Sequence, residues 1–76
     1  MHIATIQKNG IETIEVGFKE FEGIRYLDVR IYAKYKEKDE KRPTKKGVTL
    51  KPDQIHELRQ ALEKAEAAAG EMPETA

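Results

Sequence analysis

The chain has 76 residues, of which 38% are hydrophobic and 37% are charged, and its 14 basic side chains balance 14 acidic ones. A domain of this length seldom gains more than about 3–5 kcal/mol of stability from its own core, so we expect oligomerisation to supply additional stability. The sequence has no cysteine, no serine and only two distant histidines, His2 and His56, which argues against disulfides, a structural zinc site and the usual enzymatic nucleophiles.

The charges are distributed unevenly along the chain. Residues 1–51 carry 12 basic and 8 acidic side chains, whereas residues 52–76 carry 2 and 6. Within residues 25–51 the counts are 10 and 4, which predicts a positive surface and a polyanionic partner. Because no segment has the apolar length of a signal peptide or a membrane span, we expect no membrane association and an intracellular protein, cytoplasmic and nucleoid-associated if it is bacterial.

The first predicted elements are a short hairpin and a strand. Residues 3–7 alternate in polarity ahead of Asn9-Gly10, a pair that favours a type I′ turn. Residues 11–18 then place Ile14, Val16 and Phe18 on one parity, which is typical of a half-buried strand.

The clearest strand pattern covers residues 24–35. Its odd positions Leu27, Val29 and Ile31 are aliphatic, so one face is expected to meet a core. The even positions are aromatic or charged: Tyr26, Asp28, Arg30, Tyr32 and Lys34. Such a face is suited to stack bases and neutralise phosphates, but ordinary solvated sheets also carry tyrosine and arginine, so this strand alone leaves both interpretations open.

The next segment is polar and basic. Residues 36–42 are all charged, which indicates a hairpin loop or a thinly paired strand end. Pro43, Thr44 and Gly47 surround Lys45 and Lys46, so we predict a tight turn that presents two ammonium groups before a short strand over residues 48–50.

A helix is predicted to close the domain. Pro52 suits the first helical position, Gln54 is placed to reach back to a free amide, and Ile55, Leu58, Leu62 and Ala65 form a stripe that is expected to face the sheet. Gly70 and Pro73 favour an end to the helix, which predicts one domain over residues 1–70 and a disordered tail over 71–76.

Four short segments stand in the order and spacing of a known family. They are Phe21-Glu22-Gly23, similar to a Phe-x-Gly turn; Leu27-Asp28-Val29-Arg30, similar to an Ile-Asp-Ile-Arg strand; residues 42–50, similar to Lys-Pro-Gly-Lys-Lys-Gly-Ile-Ser-Leu; and Pro52-Asp53-Gln54, similar to a Pro-Glu-Gln helix start. On these segments the chain resembles the transcriptional coactivator family typified by positive cofactor four, in its bacterial and phage form. The resemblance covers residues 11–62.

The resemblance implies an α+β fold with a curved, antiparallel, four-stranded sheet followed by one C-terminal helix, with the N-terminal hairpin strand as a possible addition. It also implies a homodimer whose two sheets form opposed channels for single strands. In the family the channel uses an aromatic residue and several cations, which correspond here to Phe21, Arg30, Lys45 and Lys46.

Charge, strand parity and resemblance together define the candidate nucleic-acid-binding residues. They are Phe21, Arg25, Tyr26, Arg30, Tyr32, Lys34, Arg42, Lys45 and Lys46. The sequence departs from the family at Glu22 and Ile24, where lysines are common, and at Ala33, where some members have an aromatic residue that Tyr35 or Tyr26 would have to replace. These departures predict weaker binding than the family suggests.

The sequence therefore predicts a protein that binds single-stranded DNA, or RNA, with little sequence preference in transcription, replication or repair. The alternative is an interaction module that docks a transcription factor or polymerase. Neither function requires a catalytic site, a cofactor or a metal.

Overall fold

The computed structural model describes residues 1–34 and 40–71, and it confirms the predicted α+β architecture. Its elements are β1 (His2–Gln7), β2 (Glu12–Phe21), β3 (Ile24–Lys34), β4 (Lys41–Leu50) and α1 (Pro52–Glu71). The strands form one antiparallel sheet in the order β1-β2-β3-β4, so each strand pairs with the next one along the chain. The predicted N-terminal strand is one of these four strands.

The β1–β2 hairpin exists, but the type I′ turn predicted at Asn9-Gly10 is wrong. Neither residue has a positive φ, and the loop is organised by the Asn9 side chain instead. Its Oδ1 accepts hydrogen bonds from the backbone N–H groups of Ile11 (3.0 Å) and Glu12 (2.9 Å), and its Nδ2 donates to the Glu12 carboxylate (2.7 Å). Asparagine bonds its own backbone readily in this way, which stabilises a wider turn.

The β2–β3 hairpin has the tight turn. Glu22 (φ 51°) and Gly23 (φ 79°) both lie in the left-handed region, as a two-residue type I′ connection requires. The pair Phe21 and Ile24 therefore closes the ladder directly beside the turn, at the tip of the hairpin.

The tight turn predicted around Lys45-Lys46 is also wrong, because the whole of Lys41–Leu50 is a strand. Arg30 pairs with Gly47 and Tyr32 pairs with Pro43, so residues 44–46 stand opposite the single residue Ile31. Residues that are typical of a turn here form a three-residue bulge within the strand, which we call the basic bulge (residues 44–46).

Gly47 adjoins the basic bulge where β4 comes closest to β3. A Cβ atom on Gly47 would lie 2.6 Å from the Val29 carbonyl oxygen and 2.9 Å from the Arg30 Cα atom, both of them backbone. The register on this side of the bulge therefore requires a residue without a side chain.

The pairing register gives the sheet two chemically different faces. The apolar face carries Ile6, Ile14, Val16, Phe18, Leu27, Val29, Ile31, Val48 and Leu50. The polar face carries Thr5, Thr13, Glu15, Lys19, Phe21, Tyr26, Asp28, Arg30, Tyr32 and Lys34.

Burial is inverted relative to an ordinary core. Among the described residues, Leu27 is the only buried hydrophobic side chain, whereas Thr13 (1% exposed) and Asp28 (5% exposed) are buried on the polar face. On the apolar face, Val48 remains 54% exposed. A single copy of the chain therefore leaves Ile6 and Val48 exposed on the apolar face and most of its other residues only half-buried.

The helix covers less of the sheet than its sequence pattern predicts. Gln54 does reach back, and its Oε1 accepts from the Lys51 N–H at 3.1 Å. Ile55 and Leu58 are half-buried, but Leu62 is 59% exposed, so the prediction that the whole stripe faces the sheet is wrong. The main sheet contact of α1 is with β3, which only the first turns reach.

The C-terminal boundary differs slightly from the predicted one. The helix includes Gly70 and ends at Glu71, a difference within the usual uncertainty of helix ends. The rest of the predicted tail, residues 72–76, lies outside the described residues. In the part of the chain that the structure describes, no helix is both long and apolar enough to cross a membrane.

We expect Gly47→Ala to lower the free energy of unfolding by about 1–3 kcal/mol, because the added methyl group must displace the β3 backbone. Gly10→Ala is the matched control, since nothing lies within 4 Å of its Cβ position. Urea unfolding of both variants at one protein concentration measures the difference. Equal stability of the two variants would show that the β3–β4 contact is not as close as described.

Candidate nucleic-acid interface

Five of the nine candidate residues lie together on the polar face. They are Phe21, Tyr26, Arg30, Tyr32 and Lys34. Alternate residues of a strand point to the same side about 7 Å apart, so these rings and cations share one face of β3, with Asp28 between Tyr26 and Arg30. Phe21 extends the row to the hairpin tip, where it is 66% exposed. The polar face thus combines exposed aromatic surface with positive charge.

Arg30 lies in the middle of this row and is held on two sides. Its Nε and Nη2 donate to the Asp28 carboxylate at 3.0–3.2 Å, and its Nη1 donates to the Thr44 carbonyl oxygen at 3.0 Å. The side chain is only 18% exposed. A guanidinium carries five N–H groups, so these contacts leave two N–H groups of Arg30 without an acceptor among the described residues.

Asp28 supplies the buried negative charge beneath Arg30, and Lys19 contacts its other side at 3.4 Å. Burial by itself raises the pKa of this carboxyl group. The hydrogen bonds from Arg30 and the positive charge of Lys19 outweigh burial, so the pKa of Asp28 lies below its ordinary value. The carboxylate is therefore ionised at neutral pH and orients both cations.

Glu15, the cross-strand neighbour of Arg30, is similarly occupied. Its two carboxylate oxygens accept hydrogen bonds from Thr13 and Thr5 at 2.5 Å each, and His2 Nε2 lies 3.0 Å away. The Thr13 and Thr5 hydrogen bonds hold the pKa of Glu15 below its usual range. Both carboxylates of this region are thus tied to partners within the chain.

Sequence patterns did not identify Asp28, Glu15 or Lys19 as site residues. The signal for Asp28 was present, because Asp28 and Arg30 are two residues apart and share a strand face. Glu15 and Lys19 could not be placed without the β2–β3 register, which a sequence pattern does not specify.

Two candidates lie on the other side of the sheet. Arg25 pairs with Glu20, and its guanidinium lies 5.8 Å from the centre of the Phe18 ring in a cation–π contact. Arg42 pairs with Ala33 and follows the same parity. Neither joins the row of rings and cations on the polar face. Tyr35, a candidate replacement for the missing aromatic residue, lies outside the described residues.

The remaining candidates, Lys45 and Lys46, are exposed in the basic bulge. Lys46 lines a shallow apolar depression together with Ile14, Val29 and Val48, so this lysine borders the apolar face. The two ammonium groups are therefore not presented side by side on a turn, as the sequence predicted.

The polar face also contains a cleft of about 180 Å³ beside Asp28. His2, Glu15, Lys19, Asp28 and Tyr32 contribute to its walls. Within residues 1–34 and 40–71, no three histidine or acidic side chains are grouped to hold a metal ion.

Comparison with known proteins gives one family and several similar folds. The family model for transcriptional coactivator p15 (PC4) matches residues 8–61. A PC4 homologue from Burkholderia pseudomallei is 27% identical, with a TM-score of 0.80, over 87% of this chain and 96% of that one. No curated protein sequence matches the chain.

Two more distant structures share the fold. A bacteriophage T5 homologue of the eukaryotic coactivator PC4, implicated in recombination-dependent DNA replication, has a TM-score of 0.72 at 21% identity, over 92% of this chain and 80% of that one. MoSub1, in a complex with single-stranded DNA, has a TM-score of 0.54 at 22% identity, over 93% and 83%.

We expect Asp28→Asn to lower the free energy of unfolding by about 1–3 kcal/mol at neutral pH, because it removes the charge that Arg30 and Lys19 contact. The folded-state pKa of Asp28 is depressed, so its contribution is complete above the unfolded aspartate pKa of about 3.9 and is lost as the pH falls through the lower folded value. The stability gap between parent and variant should therefore close in acid.

Urea unfolding across pH measures this gap. Glu57→Gln, on the exposed surface of α1, is the control and should follow the parent at every pH. A gap for Asp28→Asn that stays constant down to strongly acidic pH would contradict the assignment.

Proposed function

The chain belongs to the PC4 family of transcriptional coactivators, and from that premise we propose that it binds single-stranded DNA along the polar face of its sheet. The observation that carries the proposal is the row of Tyr26, Arg30, Tyr32 and Lys34 on one face of β3, which Phe21 extends at the hairpin tip. The single-stranded DNA in the MoSub1 complex and the replication role of the phage T5 homologue support the same ligand class.

Base stacking and phosphate neutralisation both contribute to the affinity. Bases stack on the exposed rings, and every base has a π-face, so this contribution tolerates sequence variation. Lysine and arginine neutralise backbone phosphates and release counterions, so the second contribution depends on salt. Arg30 belongs to both groups, because it is planar, charged and held in position by Asp28.

We further propose that two copies form a homodimer through the apolar face. Val48 and Ile6 are more than half exposed on that face, and Leu62 is exposed on the helix. Covering apolar surface stabilises by about 25 cal/mol per Å², so a second copy supplies the core that one copy lacks. This arrangement leaves both polar faces outward, as two opposed channels for single strands.

The proposed role is in transcription, replication or repair, in the cytoplasm at the nucleoid if the source is bacterial. Single-stranded RNA offers the same phosphates and base faces and is a further candidate ligand. The proposal includes no catalytic step, cofactor or metal. Docking of a transcription factor or polymerase is the competing function, and the acidic, exposed second half of α1 is the surface that favours it.

The salt dependence of affinity tests the proposal. We expect Lys45→Ala combined with Lys46→Ala to make the slope of log affinity against log salt on single-stranded DNA shallower by about 0.7–1.4, since each phosphate contact contributes roughly 0.7 and Lys46 borders the apolar face. Arg59→Ala combined with Lys64→Ala, which removes two cations from α1, is the matched control and should keep the parent slope. Fluorescence anisotropy with a labelled oligonucleotide provides the measurement.

Phe21→Ala should behave differently in the same titration. It removes a stacking platform worth roughly 1–3 kcal/mol, so binding weakens at every salt concentration while the slope stays unchanged. Phe21→Trp keeps an aromatic surface and should bind like the parent. If the folded double lysine variant keeps both parent affinity and parent slope, the basic bulge does not contact nucleic acid, and the docking function becomes the better explanation.

Sedimentation tests the dimer. The parent at micromolar concentration should have twice the mass of one chain, and Val48→Lys should shift it to the monomer because a charge would be buried between the apolar faces. Thr49→Lys, the next residue and on the opposite face, should remain dimeric. A parent protein that folds cooperatively as a monomer rules out the opposed channels.

A further inference from the structure

Thr44 makes more contacts than any other residue of the basic bulge. Its hydroxyl group donates a hydrogen bond to the Ile31 carbonyl oxygen at 2.8 Å and accepts one from the Lys46 backbone N–H at 3.1 Å. Its own carbonyl oxygen accepts from Arg30 Nη1 at 3.0 Å. Thr44 is half-buried, whereas Lys45 and Lys46 are exposed.

These contacts replace hydrogen bonds that the bulge removes. Three residues of β4 stand opposite Ile31, so the regular ladder cannot pair them all. A side-chain hydroxyl that bonds β3 on one side and the Lys46 amide on the other restores part of that pairing. Fixing the backbone of a residue that is loose in the free protein costs conformational entropy, and this cost lowers the affinity for the ligand.

We propose that Thr44 is a positioning residue that holds the basic bulge in the shape that binds backbone phosphates. The inference rests on the proposed function, since it concerns the affinity of the same surface for single strands. Thr44 does not contact the ligand. Its hydroxyl group accepts a hydrogen bond from the Lys46 backbone N–H, and its carbonyl oxygen accepts one from Arg30. Arg30 and the bulge therefore keep a fixed relative position before the ligand binds.

This role differs from phosphate contact in a measurable way. Loss of the hydroxyl removes no cation from the chain, so the number of counterions released on binding, and with it the salt slope, stays the same. The entropy lost in ordering the bulge then lowers the affinity for DNA by the same factor at every salt concentration. A lysine substitution changes the slope, whereas a Thr44 substitution changes affinity alone.

Two variants isolate the hydroxyl group. Thr44→Val keeps the branched shape and removes both hydroxyl hydrogen bonds, and Thr44→Ser, which keeps the hydroxyl, is the matched control. Two readouts apply to the full chain: amide hydrogen exchange at Lys46 without ligand, and the salt titration with labelled single-stranded DNA. Thermal melts establish that each variant is folded.

Thr44→Val should exchange the Lys46 amide faster and bind DNA about three- to tenfold more weakly with the parent slope, as expected for loss of about one net hydrogen bond. Thr44→Ser should match the parent in both readouts. Unchanged exchange in Thr44→Val, unchanged affinity despite faster exchange, or a loss of affinity in Thr44→Ser equal to that of Thr44→Val each overturns the inference. A parent protein that binds no single-stranded DNA instead overturns the proposed function, and the exchange result still shows whether the tie exists.

Discussion

The polar face is organised around one buried charge, the carboxylate of Asp28. A buried carboxylate is tolerated only where cations and hydrogen bonds compensate its desolvation, and here Lys19 from β2 and Arg30 from β3 do so. Arg30 in turn reaches the carbonyl oxygen of Thr44 in β4. The charge of Asp28 therefore fixes the central cation, and through Lys19 and Arg30 it connects side chains of β2 and β3 to the backbone of β4.

The opposite face follows a different constraint. Hydrophobic burial normally supplies most of the stability of a domain, yet Leu27 is the one hydrophobic side chain that is buried among residues 1–34 and 40–71. The apolar face and the helix stripe agree with the sequence pattern of a core but lack a covering layer within one chain. Hydrogen bonds and ion pairs thus organise the polar face of the sheet. In our proposal, a second copy of the chain covers the apolar face.

Strand parity made much of this predictable. Alternation along β3 correctly placed Tyr26, Arg30 and Tyr32 on one face and Val29 on the other. The segment around Thr44 was mispredicted, because proline, glycine and adjacent lysines have the same local preferences in a turn and in a bulge, and only pairing with β3 distinguishes the two. Arg25 was grouped with the site by its charge, although its odd position already assigned it to the face of Phe18.

The consecutive strand order influences how the sheet can form in time. Every ladder joins neighbours in the chain, so its contacts need only short loops to close, and low sequence separation favours fast folding. The β2–β3 hairpin has the shortest connection, at Glu22-Gly23, and can form before strands on either side add to it. Because the apolar face is completed by a second molecule in our proposal, the last step would then be bimolecular, and its rate would rise with protein concentration.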